Sequence, residues 1–149
     1  MSISQKCQYS LRALFELACR YHENEPAKIA DIAKAQAIPA RFLENILSQL
    51  KQGSFVKSKR GARGGYFLAT PPSSISIGDV IRFIDGPLHP VDCFSDLKIN
   101  PCKLKGSCVF RPVWKRAQQA VENIYDNTTL QDLINNEQNS DEKVINYII

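Results

Sequence analysis

The sequence predicts a mainly α-helical fold with a small β wing: a winged helix-turn-helix domain followed by a long C-terminal dimerisation helix. Three observations predict it. Apolar residues recur at helical spacing along most of the chain. Two short helical stretches meet at a tight turn near residues 36–38. A basic, glycine-rich hairpin follows them directly.

Leu11, Leu14, Phe15, Ala18 and Tyr21 share one face of a helix, so residues 4–22 read as a core-facing first helix. Ile29, Ile32 and Ala33 mark a short second one. A third begins at Pro39, whose fixed φ suits a first helical residue. It carries Phe42, Leu43, Ile46, Leu47 and Leu50 on its inner side and stops at Gly53. The hairpin reads as strand 55–58, turn 59–65 and strand 66–69, with Gly61, Gly64 and Gly65 expected to supply positive φ in the turn. Ser76-x-x-Asp79 has the pattern of a capping box and opens a helix with Ile77, Val80, Ile81 and Ile84 on one side. Residues 86–111 contain Gly86, Pro87, Pro90, Pro101 and Gly106 together with three cysteines, and are expected to form a loop. Pro112 then starts a long helix with Trp114, Ala117, Val121, Ile124 and Tyr125 as its stripe. Thr129-x-x-Asp132 caps an expected short last helix containing Leu130, Leu133 and Ile134. The expected organisation is therefore a DNA-binding domain over 1–86, an effector loop over 87–111, and a dimerisation helix, short helix and acidic tail over 112–149.

Charge gives this arrangement a purpose. Between Asn45 and Gly78 there is no acidic residue, while Lys51, Lys57, Lys59, Arg60 and Arg63 are all basic. From Glu122 to the end the balance reverses: Glu122, Asp126, Asp132, Glu137, Asp141 and Glu142 face Lys143 alone. A basic middle meets an anion, and an acidic tail keeps away from it. No apolar run approaches the roughly 20 residues of a membrane span, and no secretory signal pattern opens the chain, so a cytoplasmic location is expected. Catalysis is not expected: there is no nucleophile–base arrangement, no phosphate-cradling loop, and His22 and His89 are the only histidines.

A recognition helix enters the major groove with its N-terminal residues, here Pro39, Ala40, Arg41 and Glu44. Arg41 has the fork that pairs with guanine O6 and N7, and Glu44 accepts from cytosine N4. Arg60 or Lys59 at the hairpin tip suits the flanking minor groove, while Lys51, Lys57 and Arg63 suit phosphates.

These residues resemble the IscR/NsrR/CymR family of bacterial winged-helix regulators over nearly the whole chain. The likeness is carried by Tyr9-x-Leu11-Arg12-Ala13-Leu14, by Phe42-Leu43-Glu44-x-x-Leu47-x-x-Leu50, and above all by Arg60-Gly61-x-x-Gly64-Gly65-Tyr66-x-Leu68. Ile77-x-Asp79-Val80-Ile81, Trp114 and Thr128-Thr129-Leu130-x-Asp132-Leu133 extend it. The resemblance implies a transcription repressor acting as a homodimer, with the helix from Pro112 packed on its copy and a palindromic operator as the partner.

Cys93, Cys102 and Cys108 lie in the irregular loop with spacing C-x8-C-x5-C. Thiolates suit an iron–sulfur cluster; zinc, or free redox thiols with no metal, are the alternatives. Members of the resembling family hold a [2Fe–2S] or [4Fe–4S] cluster in this loop, sensing iron, redox state or nitric oxide. Two departures mark this chain: the first interval is longer than in the best-known members, and Arg111 stands where some have a histidine ligand. Others take the fourth ligand from the partner's first helix, at the position of Gln8; here Gln8 or the adjacent Cys7 is the expected fourth ligand, ahead of His89, which lies near Cys93. Cys19 is expected to be a core thiol, and His22 a surface residue. CymR-like members lack the cysteine trio and work through cysteine synthase, whose active site accepts peptides ending in isoleucine. This chain ends in Ile149, so partner control is the second expectation, set against a tail that simply packs on its own subunit.

Overall fold

The computed structural model describes residues 2–23, 25–91, 93, 102–104 and 106–148, with side chains described up to residue 139. Helix α1 (Gln5–Cys19) is followed by a 3₁₀ turn at Tyr21–Glu23, α2 (Ile29–Ala35) and α3 (Ala40–Gln52). Strands β1 (Val56–Lys59) and β2 (Gly65–Leu68) pair antiparallel, with Val56 opposite Leu68 and Lys59 opposite Gly65. A second 3₁₀ turn, Pro72–Ser74, leads to α4 (Ile77–Asp85), α5 (Arg111–Asp126) and α6 (Leu130–Ile148).

The core is apolar and continuous. Ala13, Leu14, Leu17 and Ala18 of α1 meet Ile32, then Leu43, Ile46, Leu47 and Leu50 of α3, Val56 and Leu68 of the wing, Val80 and Ile81 of α4, and Leu130 of α6. Each fully buried Leu or Ile contributes about 1.5–3 kcal/mol of transfer free energy. Leu130 matters because it ties the C-terminal segment into the same core, and α6 runs back along α1.

Local chemistry sets the boundaries. Ser4 Oγ accepts from the Cys7 amide, capping α1. Ser76 and Asp79 form the expected capping box on α4. Thr129 and Asp132 do the same on α6: the Thr129 amide and hydroxyl donate to Asp132 at 2.8 and 2.6 Å, and the Asp132 amide donates to Thr129 Oγ1 at 3.2 Å. These bonds hold the Asp132 carboxyl below its ordinary range.

Several expectations are corrected. Pro39 is the N-cap rather than the first helical residue: its ψ of 123° is extended and α3 starts at Ala40. The last helix is not short. No Gly or Pro follows Pro112, so nothing in the sequence stops α6 before Ile148. Cys19 is exposed at the C-terminal end of α1, because Leu14, Leu17 and Ala18 already take the inward positions of that turn. Of the wing glycines, Gly61 takes φ 108°, but Gly64 is required for space: a Cβ there would collide with the Lys59 carbonyl. A Cβ on Gly65 would come 2.5 Å from the Ala27 carbonyl oxygen, where Ala27 and Tyr66 exchange two main-chain hydrogen bonds of 2.8 and 2.9 Å. That bridge pins the wing to the segment before α2.

Candidate nucleic-acid interface and cysteine loop

The turn between α2 and α3 is tight because Ala37 adopts φ 49° and the Ile38 amide donates to the Ala33 carbonyl at 3.0 Å. Ile38 is buried and anchors the turn. Helix α3 then separates its faces. Leu43, Ile46, Leu47 and Leu50 point into the core, while Pro39, Ala40, Arg41 and Glu44 are all exposed. Asn45 and Ser48 are exposed as well. They follow Arg41 at helical spacing and extend the candidate reading face by a turn. The same periodicity is visible in the sequence beyond the first turn of α3.

Phe42 departs from its expected place in the core. It is 43% exposed and its ring stacks on Tyr9 of α1, with centroids 6.4 Å apart. At that point of the helix the inner face belongs to Leu43 and Ile46, so Phe42 sits on the flank. The Arg41 guanidinium lies 4.7 Å from the Phe42 ring centroid, a cation–π contact that restricts its rotamers.

Helix α3 packs directly on β1, and Lys51 Nζ donates to Ser58 Oγ at 2.7 Å, joining the end of the helix to the strand. Lys51, Lys57, Lys59, Arg60 and Arg63 are all exposed, with Arg60 and Arg63 on the turn between the strands. Basic wing and exposed α3 face thus belong to one packed unit.

The loop from α4 to α5 leaves at Gly86, φ 84°. Its root is fixed: the Ser4 amide and hydroxyl donate to the Asp85 carboxylate at 2.8 and 2.5 Å, locking the end of α4 to the start of α1. Leu88 is buried, and His89 Nδ1 is buried with no hydrogen-bond partner. Cys93 and Cys102 are exposed, Cys108 is half-buried, and all three are free thiols. Thiol donors and an orphaned imidazole nitrogen suit a soft metal or cluster. The described residues do not gather them: no three His, Cys, Asp or Glu side chains among these residues stand close enough to hold one ion.

Cys7 does not face outward towards a second subunit. It is fully buried, and burial, with a lesser push from the Asp85 carboxylate, raises its thiol to about 12. Gln8 is exposed, with its amide nitrogen donating to the Ile3 carbonyl at 3.1 Å. Partial desolvation and the Glu137 and Glu16 carboxylates raise Cys19 to about 11. His22 is exposed at the 3₁₀ turn, and Ile149 lies outside the described residues.

The fold is shared with known proteins. It superposes on the structure of Bacillus subtilis CymR, described as the global cysteine regulator of that organism, with a TM-score of 0.73 and 36% identity, covering 89% of this chain and 95% of that one. The T. potens IscR structure gives a TM-score of 0.73 at 31% identity, covering 94% and 90%. Residues 3–136 match the family described as Rrf2, iron-dependent transcriptional regulator. The chain belongs to the Rrf2 family. Across its sequence this Rrf2 regulator is 36% identical to CymR of B. subtilis strain 168 over 99% of its own length and all of CymR's. It is 35% identical to NsrR of Bacillus licheniformis over 92% of its length and 94% of NsrR's. The Rrf2 chain is a transcriptional regulator, not an enzyme. No helix among its described residues is long and apolar enough to cross a membrane.

Proposed function

We propose that this regulator binds a palindromic operator as a homodimer and that its affinity for that operator responds to an iron–sulfur cluster held by the α4–α5 loop. The carrying observation is the division of α3: its inner side is wholly in the core while Arg41, Glu44, Asn45 and Ser48 are free to reach base edges beside a basic wing. Pro39 and Ala40 approach the groove, Arg60 or Lys59 enters the minor groove, and Lys51, Lys57 and Arg63 hold phosphates.

The dimer rests on α5, which fully buries no residue within its own chain. The stripe expected from the sequence divides: Trp114, Val121 and Tyr125 are half-buried, Tyr125 against the chain's own core, while Ala117 and Ile124 join Val113 and Ala120 at intervals of four, three and four on one exposed face. Val113 is 54% and Ile124 62% exposed. A helix with such a face is covered by another helix, here the second copy.

Cys93, Cys102 and Cys108 would hold the cluster. The burial of Cys7 and the buried unpartnered nitrogen of His89 reverse the order expected from the sequence: His89 would be the fourth ligand within the loop, with Gln8 of the partner subunit the alternative. A bound cluster supplies a redox-sensitive and iron-sensitive set of Fe–S bonds whose loss frees the loop. Because the loop root is bonded to α1 through Asp85 and Ser4, a change in the loop is transmitted to the reading domain. The family description and the likeness to IscR and NsrR support this reading. Anaerobic purification followed by a visible spectrum with iron and sulfide analysis tests it: absorbance in the visible with matched iron and sulfide is expected, and a colourless, iron-free dimer contradicts it.

A second reading is favoured by the full-length likeness to CymR. In it the regulator has no cluster and answers to a protein such as cysteine synthase through Ile149. A complex abolished by removing Ile148 and Ile149, with operator binding intact, distinguishes it.

A further inference from the structure

The connection between α5 and the reading domain is made by a compact junction at the other end of α5 from the cysteine loop. Arg82 of α4 donates to Asp126, the last residue of α5, at 2.7 Å and to Asp79 at 3.3 Å. Gly78, one turn earlier on α4, makes the room: a Cβ there would take the position of Asp126 Oδ1. Beside this pair the main chain is stitched. The Ile77 amide donates to the Thr128 carbonyl at 2.9 Å and the Leu130 amide to the Ile75 carbonyl at 3.0 Å, around an isolated bridge of Ser76 with Thr129. Thr128 Oγ1 in turn donates to the Ile124 carbonyl at 2.7 Å, closing the end of α5.

We propose that the Arg82–Asp126 pair, seated over Gly78, is the positioning element that sets the angle between reading domain and dimer helix, and thereby the half-site spacing that the dimer accepts. The inference rests on the operator-and-dimer reading above. Helix α5 leans on its own chain chiefly through α4, and the chain reaches α6, which packs on α1, only after turning at residues 127–129 within this junction, so both connections from α5 to the reading domain start here. The leverage is large. Half-sites of a helix-turn-helix dimer lie about 34 Å apart, so each reading helix is roughly 17 Å from the axis; a tilt of about 10° moves each by about 3 Å and, by symmetry, changes their separation by up to about 6 Å, the scale of about one to two base pairs. Arg82, Asp79 and Asp126 are all partly exposed, and exposed ion pairs contribute little to stability. A pair that stabilises little but joins two rigid helices at a fixed distance acts through geometry.

The test is selection of DNA from a pool of random inverted repeats with spacers of varied length, using the full-length dimer. Wild type is compared with Arg82→Ala, Asp126→Asn, Gly78→Ala and Arg82→Lys, with dimer mass and melting temperature measured for each. Wild type is expected to enrich one spacer. Arg82→Ala and Asp126→Asn, still dimeric, are expected to lose about fivefold or more of that preference, and Arg82→Lys to retain most of it. Gly78→Ala is the sharpest variant. It raises the helix propensity of α4 yet displaces Asp126, so unchanged or improved melting with a broadened spacer preference is expected. Wild-type spacer preference in both Arg82→Ala and Gly78→Ala would overturn the proposal, as would dissociation of these variants into monomers, which would make the junction a support of the dimer alone. Failure of wild type to enrich any inverted repeat would instead bring down the operator reading, and this inference with it.

Discussion

Arg41 and Arg60 differ in how they are held, and the difference has consequences. Arg41 rests against the Phe42 ring, which itself stacks on Tyr9, so its fork is partly ordered before any base arrives. Arg60 sits exposed at the turn between the wing strands. Arg41→Ala is expected to cost about 1–3 kcal/mol of operator binding and to relax specificity at one base pair. Phe42→Ala should reproduce a fraction of that loss without removing any donor to DNA. Anisotropy titrations against the selected operator and its single-base variants check both; full affinity in Arg41→Ala and Arg60→Ala together would exclude the proposed reading surface. At the cysteine loop, His89→Ala is expected to alter the visible and EPR spectra of the anaerobic protein while leaving the dimer folded. An unchanged spectrum would return the fourth ligand to Gln8 or to an exogenous group.

Secondary-structure elements are largely legible in the sequence where one physical rule acts alone. The Ser76–Asp79 and Thr129–Asp132 boxes stand where their spacing puts them, and the 3.6-residue period locates α1, α3, α4 and α5. Legibility fails where tertiary competition decides. Phe42 and Cys19 have apolar character, but neighbouring leucines and alanines hold the inward positions. Cys7, next to an outward residue, falls inside. The absence of Gly and Pro after Pro112 permits the length of α6, but the polar run over residues 135–143 gives no apolar stripe to announce it. Capping allows a prediction with a sign. Hydrogen bonds from Ser76, aided by Arg82, hold the Asp79 carboxyl below the usual carboxylate range. A depressed folded-state value means that the box stabilises α4 above the unfolded value and loses this contribution as pH falls through the folded one. Thermal melts are therefore expected to show Ser76→Ala destabilised by about 0.5–2 kcal/mol near neutral pH, with the gap to wild type narrowing below about pH 4. A gap independent of pH would remove Asp79 from the explanation.

At the scale of the whole molecule, the proposed regulator combines charge, symmetry and the loop. In the proposed dimer two basic wings would release condensed counterions from DNA, so raising salt from about 50 to about 200 mM is expected to weaken operator binding by roughly 10³–10⁵ if about six to ten phosphates are contacted. Ile124→Asp places a charge on the exposed face of α5 and is expected to give folded monomers with greatly reduced operator affinity, as read by sedimentation and anisotropy. The site is only partly legible: the sequence offers the cysteine trio, but not the Ser4–Asp85 lock that joins the loop root to α1, since residues 81 positions apart share no local pattern. In the proposed regulator that lock would give the loop a direct mechanical link to α1. The most direct measurement is a titration of one operator with holo and apo protein under anaerobic conditions at fixed salt. A difference of about 5–150-fold in affinity, the range of about 1–3 kcal/mol of coupling, is the result expected; equal affinities, with cluster occupancy verified by iron and sulfide content, would contradict a regulatory role for the cysteine loop.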